Sequence, residues 1–459
     1  MNQERRKKIG RTIRKYNHKL TSAQVLAIGY LIVILIGSFL LALPWASRAR
    51  VWTPYVDSLF TATSATCVTG LIVYDTATYW STFGQIVILL LIQVGGIGFM
   101  TFVTLFSLFL RRHIGVFERK ILMQSAGTMR IAGVVLLVRR ILIGTLIVES
   151  VGVLLLCTRF IPIFGAGKGI YYAIFHSVSA FCNAGFDLLG GYGGEFTSLQ
   201  SLSGDVVVNL TIMALIVIGG LGFLVWGNVF GEKFRFKRFN LQTKIVLVTT
   251  ACLIVLPAIA LFALERNYAF RDMNTGQAMM AALFQSITPR TAGFAGVDMT
   301  TMRDSSQFLT MGLMLVGGSP GSTAGGIKTT TFAVILLGLY AGARGTNRII
   351  IGKRRLEDDV VRRANGLLTI YLTTICLATF LIATIDGTPL KETLFEVVSA
   401  IGTAGLSLNL TSSLGVCSKL IVIGLMFVGR LGAMSFALAF AEKRDNPPLD
   451  RPIERIMIG

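Results

Sequence analysis

The chain has 459 residues, of which 53% are hydrophobic and 14% are charged, and its formal net charge is +20. With a mean hydropathy of +0.69, this composition lies outside the range of soluble globular domains and is typical of a protein with several membrane spans. The six cysteines include no CxxC pair, so neither a zinc site nor a disulfide framework is expected.

Long apolar runs follow the basic residues 1–20. The first run, 25–43, is long enough to cross a hydrocarbon core of about 30 Å. Shorter stretches between the runs are expected to form half helices that enter and leave the membrane on one side. The predicted spans are 25–43, 85–110, 141–157, 206–230, 245–263, 308–340, 367–385 and 420–439. The predicted half helices lie in 60–71, 171–181, 277–288 and 391–400.

Four of the short stretches share a motif that begins with Phe, carries Ser or Thr four residues later and ends in Gly. They are FTATSATCVTGL (60–71), FHSVSAFCNAGF (175–186), FQSITPRTAGF (284–294) and FEVVSAIGTAGL (395–406). Their glycines are spaced by 115, 108 and 112 residues, and such a steady spacing indicates one unit used four times. The sequence therefore predicts an all-α polytopic membrane protein with four span–pore loop–span repeats. Its eight spans and four re-entrant half helices would surround a central pore.

The positive charge collects on one predicted side of the membrane. Lys and Arg number eight in 1–20, seven in 111–140, five in 231–244, seven in 344–363 and four in 442–459, against ten on the other side. By the positive-inside rule the basic side is cytoplasmic, so both termini are expected inside. Topology accounts for most of the charge, and no nucleic-acid partner is expected. The predicted division is an N-terminus (1–20), repeats 21–112, 113–232, 233–345 (with a broken second span) and 346–441, and a C-terminal tail (442–459).

The glycine-ended tails of the four stretches point to cation chemistry. Backbone within a membrane must have its polar groups satisfied, so an extended tail must line a protein interior or a water-filled path. Four such tails would form rings of carbonyl oxygens, which replace the water shell of a monovalent cation. Glycine permits the positive φ that turns a carbonyl toward the axis, and the C-terminal ends of the half helices favour cations.

The stretches TSATCVTGL, SVSAFCNAGF, QSITPRTAGF and VVSAIGTAGL resemble the Trk/Ktr/HKT superfamily of potassium transporters. The likeness covers nearly the full chain and is greatest to the membrane subunit of bacterial Ktr systems. It implies a bacterial cytoplasmic membrane protein with a potassium filter of backbone carbonyls. The implied filter residues are Val68, Thr69, Gly70, Asn183, Ala184, Gly185, Thr291, Ala292, Gly293, Thr403, Ala404 and Gly405. The third loop is one residue shorter and carries Pro289 and Arg290, so perfect fourfold symmetry is not expected.

The same resemblance implies the ions and partners. K⁺ is the expected transported ion, with Na⁺ as a further ion for symport, and no organic cofactor is expected in this chain. The resemblance implies a homodimer with one pore per subunit and a separate cytosolic ring that binds nucleotide and regulates transport. The basic cytoplasmic loops are also expected to contact anionic lipid head groups.

A second motif, VGGSPGSTAGGIKTT at 316–330, interrupts the sixth predicted span. Glycine and small polar residues cannot hold a regular lipid-facing helix here, and other repeats keep GGIGF or GGLGF. We expect a break in this repeat alone, forming a flexible gating loop below the filter, as the family resemblance also implies. A static kink for close helix packing is the alternative. The predicted gate residues are Gly317, Gly318, Ser319, Gly321, Gly325, Gly326, Lys328 and Arg430.

Arg430 lies deep in the last predicted span. An arginine at the bilayer centre costs about 2.5–3.5 kcal/mol on insertion scales, so its side chain should face the interior. We expect a cation barrier held by carbonyls of the gating loop, with a structural tether between helices as the alternative. Lys328 is expected either to plug the path or to anchor the loop to carbonyls.

Three other functions are weighed against potassium uptake. GSTAGGIKTT resembles the phosphate-binding pattern GxxxxGK[ST], but Ile327 stands before the lysine and no strand–loop–helix context surrounds it. An enzyme would need converging titratable groups, whereas Glu149, Glu396 and Arg430 belong to different repeats, so no enzyme is expected. A channel or symporter for Na⁺ or another monovalent cation on the same scaffold is the remaining alternative.

Overall fold

The structure is a computed structural model of a mostly helical chain, and it describes residues 21–98, 134–346, 349–351 and 354–432. Segment 1–20, tail 442–459 and the far ends of predicted spans 85–110 and 420–439 lie outside these residues. The described helices are α1 Ser22–Ala42, α2 Tyr55–Cys67, α3 Thr82–Ile97, α4 Val134–Phe164, α5 Ala166–Cys182, α6 Gly190–Gly193, α7 Val206–Gly220, α8 Phe223–Gly231, α9 Leu241–Glu265, α10 Thr275–Ile287, α11 Asp304–Leu315, α12 Thr329–Ala343, α13 Asp358–Asp386, α14 Leu390–Gly402 and α15 Val416–Leu431. Strands β1 Ile350–Ile351 and β2 Arg354–Arg355 form a short antiparallel pair.

Four of the described helices, α1, α4, α9 and α13, are long and apolar enough to cross a membrane. Helices α7 and α8 pass the same test together, with a bend of 94° between them, and α3 and α12 are shorter apolar helices. Within the described residues there are thus four such helices, or five if the bent pair is one span. The eight-span layout stays a prediction.

The predicted span 206–230 is not one straight helix, because α7 and α8 meet at a sharp bend. Gly222, between them, has φ +89, and α3 and α15 end at the corresponding glycines Gly98 (φ +92) and Gly432 (φ +83). Only glycine adopts such a conformation readily. The prediction that the third repeat alone is interrupted was therefore wrong. What distinguishes that repeat is the length of its interruption, residues 316–328.

The first glycine of the GGIGF and GGLGF motifs brings two helices into backbone contact. A Cβ at Gly95 would lie 2.0 Å from the carbonyl oxygen of Thr66, and one at Gly219 would lie 2.0 Å from that of Phe181. Gly429 is placed in the same way against the end of α14. In the first, second and fourth repeats the missing side chain therefore lets the following apolar helix pack directly on the C-terminal end of the short helix.

The four short helices α2, α5, α10 and α14 contain the stretches that begin with Phe. These phenylalanines are at most 1% exposed and belong to two clusters of buried apolar side chains, so their recurrence reflects the core. The next helix of more than ten residues after each short helix packs on the short helix of the next repeat: α3 on α5, α7 on α10, α11 on α14 and α15 on α2. The last of these contacts closes a ring of elements.

Candidate ion pathway

The short helices end in backbone turns that are unusual for the residues concerned. Val68, Asn183 and Thr403 cap α2, α5 and α14 in the left-handed conformation, with φ of +56, +59 and +52. In the third repeat, Thr291 has φ +68, although α10 ends earlier, at Ile287. In all four repeats the residue two positions before the motif glycine thus has a positive φ.

The shorter third loop reaches this turn through a different hydrogen bond. The amide of Thr69 donates to the carbonyl of Ser64 at 2.8 Å, five residues earlier, and the second and fourth repeats form the same bond. In the third repeat the amide of Ala292 donates to the carbonyl of Thr288 at 2.9 Å, four residues earlier. The missing residue is therefore absorbed within the turn, and the glycine still reaches its neighbours.

The four motif glycines meet in what we call the glycine ring (Gly70, Gly185, Gly293 and Gly405). Their φ angles lie between +71 and +96. A Cβ would lie near the carbonyl oxygen of the residue before the next glycine in the ring. The four Cβ–oxygen distances are 2.7 Å from Gly70 to Ala184, 2.7 Å from Gly185 to Ala292, 3.0 Å from Gly293 to Ala404 and 2.2 Å from Gly405 to Thr69. The four sequence-predicted triplets are thus brought together in cyclic order.

A hydroxyl group lies behind each quarter of the ring, four residues after the buried phenylalanine. Ser179 and Thr288 donate to the carbonyl of the residue after the ring glycine, at 2.7 and 2.6 Å. Ser64 accepts a hydrogen bond from the amide of its ring glycine at 3.1 Å, and Ser399 has no partner within the described residues. Sequence analysis assigned these residues no role, although their fixed spacing from both Phe and Gly was a usable signal.

An outer cavity of about 240 Å³ opens on the glycine ring and is lined by all four of its glycines. The carboxylates among its described lining residues are Asp187 and Glu195. Burial raises the pKa of Asp187 to about 6, and the nearby Asp75 carboxylate adds to the rise. Hydrogen bonds from the Leu189 amide and from Ser198 oppose it. A weakly acidic carboxyl therefore lies at the mouth of the ring.

Loop 316–328 packs against the residues that precede the ring glycines. A Cβ at Gly325 would lie 2.2 Å from the Thr403 hydroxyl, and one at Gly317 would lie 3.1 Å from the Thr291 methyl group. The Gly317 amide donates to the Ile327 carbonyl at 2.9 Å, which brings the two ends of the loop together. The loop is therefore placed on the side of the ring opposite the outer cavity.

The bend between α7 and α8 holds the same loop. The Ser319 amide donates to the Gly220 carbonyl at 2.9 Å, and the Phe223 amide donates to the Gly321 carbonyl at 2.9 Å. The Thr323 hydroxyl adds a bond to the Phe181 carbonyl at 3.1 Å. The backbone groups freed by the bend in the second repeat are thus satisfied by the loop of the third.

Arg430 connects the loop to a different repeat. Its guanidinium donates to the carbonyl of Thr323 and to that of Gly95, and a longer bond of 3.3 Å reaches the Gly96 carbonyl. The last two carbonyls belong to the C-terminal end of α3, where the helix dipole is negative. The arginine therefore bridges the loop of the third repeat and a helix of the first.

Lys328 makes local contacts within the loop. Its ammonium group donates to the carbonyls of Ala324 at 2.7 Å and Gly325 at 3.4 Å. The Lys328 side chain therefore binds carbonyls of its own loop, which is the contact expected if it anchors the loop.

The two carboxylates within the helical core, Glu149 and Glu396, each accept hydrogen bonds from their own neutral partners. Glu149 accepts from the Gln93 amide at 3.2 Å, and Glu396 accepts from the Ser407 hydroxyl at 2.8 Å and from Thr411. No group of three His, Cys, Asp or Glu side chains that could hold a metal ion occurs within the described part of the chain.

Known proteins resemble this chain in sequence and fold. The family described as TrkH, cation transport protein, matches residues 21–448. "Potassium/sodium uptake protein NtpJ" of Enterococcus hirae is 38% identical over 453 residues, which cover 97% of this chain and 99% of that protein. "Ktr system potassium uptake protein B" of Bacillus subtilis is 38% identical over 430 residues, which cover 93% of this chain and 95% of that protein.

A solved structure shows a similar fold. The potassium transporter TrkH from Vibrio parahaemolyticus matches with a TM-score of 0.68 at 19% identity, covering 92% of this chain and 86% of that one. At this identity the likeness concerns the fold alone. The family match and the two close relatives each extend over nearly the whole chain. The chain therefore belongs to the TrkH and Ktr family of cation transport proteins, and it is an ion transporter and not an enzyme.

Proposed function

We propose that this protein takes up potassium across the cell membrane, with the glycine ring as its selectivity filter and loop 316–328 with Arg430 as its gate. The observation that carries the proposal is the cyclic contact of the four glycines with four backbone carbonyls. Carbonyl oxygens gathered in this way replace the hydration shell of a monovalent cation. The C-terminal ends of the short helices face the same region and add negative potential.

The gate follows from what lies beneath the ring. Loop 316–328 contacts Thr291 and Thr403, which precede ring glycines, and its Thr323 carbonyl accepts from Arg430. A guanidinium on an ion path repels cations, and the bond to Thr323 keeps it beside the loop. Opening would require the loop to leave the bend between α7 and α8, and Arg430 would then lose one of its carbonyl partners.

The names of the relatives support potassium as the transported ion and leave a second candidate. One relative is called a potassium uptake protein and the other a potassium/sodium uptake protein. Each repeat contributes a single glycine to the ring, which favours few binding sites and modest discrimination between K⁺ and Na⁺. Symport with Na⁺, or conduction of another monovalent cation, is therefore the second candidate function.

The proposal includes a membrane arrangement and partners. The apolar runs of the sequence support the eight-span layout, and the placement of Lys and Arg supports both termini in the cytoplasm. The name "Ktr system" implies that the relative works with other components. We infer a homodimer of this chain, regulated by a cytosolic nucleotide-binding ring that contacts the basic loops.

The filter assignment is tested with Gly70→Ala. The new Cβ would lie 2.7 Å from the Ala184 carbonyl oxygen at a φ of +96, so the ring must distort. We expect the preference for K⁺ over Na⁺ to fall about tenfold or more. A tenfold fall corresponds to a loss of about 1.4 kcal/mol in the difference between the binding free energies of the two ions. The measurements are growth of potassium-requiring cells that express the chain and K⁺ and Na⁺ flux into proteoliposomes.

Gly424→Ala is the matched control, because a Cβ at Gly424 meets nothing within 4 Å. It should leave flux and ion preference unchanged. A Gly70→Ala protein that is folded and keeps the full preference for K⁺ would disprove the filter assignment. A protein that prefers Na⁺ before any substitution would favour the second candidate function.

A further inference from the structure

An apolar groove lies within the third repeat, between α9, α11 and α12. Its volume is about 1010 Å³, at the upper end of the range of ligand pockets, about 300–1,000 Å³. Lys244 is the one charged side chain among its described lining residues. The other end reaches Pro257 and Phe308. The groove is therefore apolar along its walls and has a single basic side chain, Lys244, at one end.

The segment next to Lys244 combines exposed aromatic and basic side chains. Phe230, Phe234 and Phe236 are 67, 70 and 49% exposed. Lys233, Arg235, Lys237 and Arg238 alternate with them and are also exposed. Aromatic rings and long cationic side chains together are typical of the membrane–water interface, and clustered cations attract anionic head groups.

We propose that this groove binds an anionic phospholipid, with one acyl chain along α9 and the phosphate at Lys244. The Lys244 ammonium donates to the Lys237 carbonyl at 3.1 Å, which leaves two of its three donors for a phosphate. The apolar walls suit an acyl chain, and the cations around the open end suit its head group. For a second copy of this chain to fill the groove instead, it would have to place an apolar segment along the walls and an anionic group beside Lys244.

The groove also touches both sides of the interruption. Val316 begins loop 316–328, and Phe332 follows it on α12; both side chains line the groove. An acyl chain lying there braces the helix ends from which the loop emerges. The proposed lipid binding does not depend on the proposed function, whereas the proposed effect of the lipid on the gate does.

The test blocks the groove without disturbing the core. Gly312 on α11 lines the groove, and a Cβ there meets nothing within 4 Å, so Gly312→Leu adds a side chain directly into the channel. Gly424→Leu is the control, because Gly424 is equally open on α15, away from the groove. Native mass spectrometry of the purified full chain, titrated with phosphatidylglycerol, should show the bound lipid lost from Gly312→Leu and kept in Gly424→Leu.

The head group is tested by charge removal. Lys244→Gln should weaken phosphatidylglycerol binding about fivefold, the effect of one cation at an anionic surface, and should leave phosphatidylcholine binding unchanged. Lys168→Gln, at an exposed lysine remote from the groove, should have no effect. If Gly312→Leu and Lys244→Gln both bind phosphatidylglycerol like the unmodified chain, the proposal is wrong. A changed oligomeric state of Gly312→Leu with unchanged lipid binding would identify the groove as a protein interface and would also refute it.

The effect on the gate is measured separately, as K⁺ flux in liposomes with and without phosphatidylglycerol. Flux through the unmodified chain should depend on this lipid, and flux through Gly312→Leu should not. Lost binding with unchanged lipid dependence of flux would support the site and contradict the effect on the gate. Failure of the filter assignment would appear in Gly70→Ala, which leaves the groove intact.

Discussion

Val68, Thr291 and Thr403 are β-branched residues with φ angles of +56, +68 and +52. Such side chains are crowded in the left-handed region, and each strained residue costs about 1–3 kcal/mol. Asn183, the fourth member, tolerates this region better. The strain persists because the amide that follows is hydrogen-bonded to the end of each short helix. This strain lies next to the glycine ring, where the backbone carbonyls gather.

We expect Asp187 to make transport sensitive to external pH. Its pKa of about 6 means that the carboxyl is charged at neutral pH and neutral at about pH 5. Cation flux should therefore fall as external pH drops through about 6, because the outer cavity loses a negative charge. The measurement is initial K⁺ uptake against external pH, and Asp187→Asn should flatten the decline.

The same residue affects stability with a definite sign. Because its folded pKa is raised above the usual 3.8, its contribution favours folding most at low pH and is lost as pH rises through about 6. In the uptake measurement, Glu195→Gln is the control, because Glu195 lines the same cavity and the pH dependence near 6 is assigned to Asp187. An unchanged pH profile in Asp187→Asn would contradict the assignment.

At the level of elements, one glycine motif performs two tasks. The first glycine of each motif allows contact with the end of a short helix, as at Gly95 and Gly219. The third glycine, as at Gly222, ends or bends the helix through a positive φ. A helix break at the same depth in several repeats leaves carbonyls without intrahelical partners. Loop 316–328 and Arg430 supply many of those partners.

Replacing Arg430 with Gln tests whether it is a barrier or a tether. The substitution removes the charge and keeps a donor for the Thr323 and Gly95 carbonyls. If Arg430 is a barrier, K⁺ flux should rise severalfold, and the midpoint of thermal unfolding should change little. Both are measured on the purified chain, in proteoliposomes and in detergent.

Arg271→Gln serves as the charge control, because Arg271 is 72% exposed and pairs with the exposed Asp272. It should change neither flux nor stability. A folded Arg430→Gln protein with unaltered flux would contradict the barrier role, and a misfolded one would identify a tether. Deletion of residues 318–325 with unaltered flux would likewise contradict the gating role of the loop.

At the scale of the whole molecule, the ring of helices closes where the first and last repeats meet. Lys419 on α15 donates to Asp57 on α2 at 2.7 Å, and these side chains are 11 and 10% exposed. The Tyr74 hydroxyl donates to the second oxygen of Asp57 at 2.9 Å. Two residues 362 positions apart thus form one buried polar cluster.

Removing one partner of this pair should strongly destabilise the protein. Asp57→Asn leaves the Lys419 ammonium buried without its counter-ion, which costs about 3–5 kcal/mol. The double substitution Asp57→Asn with Lys419→Met should recover much of the loss, because no unpaired charge remains. Thermal unfolding of the detergent-solubilised chain measures both.

An exposed ion pair provides the comparison. Lys391 and Asp304 are 45 and 83% exposed, so Lys391→Met should cost less than about 1 kcal/mol. Equal effects of Asp57→Asn and Lys391→Met would show that the buried pair does not close the ring.

Much of the site was predictable because its signals are local. The phenylalanines at the start of each motif are buried core residues, and the motif glycines have the positive φ that their residue type permits. Helices α2, α5, α10 and α14 lie where short apolar stretches were expected. The resemblance of the four motif stretches to a known superfamily also predicted the transporter family, and the family match over residues 21–448 confirms it.

Other features depend on groups that are distant in the chain. The left-handed turn at Val68 contradicts the preference of valine and exists because the surrounding fold holds it. The bend at Gly222 was missed, since an apolar run reads as one span until a neighbouring loop can satisfy its freed backbone groups. The partners of Arg430 come from two other repeats.

The repeated motif, its glycines and the uneven distribution of charge could be recognised in the sequence, because propensity, hydropathy and spacing are properties of neighbouring residues. The cyclic order of the glycine ring, the placement of loop 316–328 and the Lys419–Asp57 pair could be recognised only in the folded chain. Most of these contacts join different repeats, from Gly325 and Thr403, 78 positions apart, to Lys419 and Asp57, 362 positions apart. Such contacts form only when the whole chain closes on itself and buried polar groups must find partners across the ring.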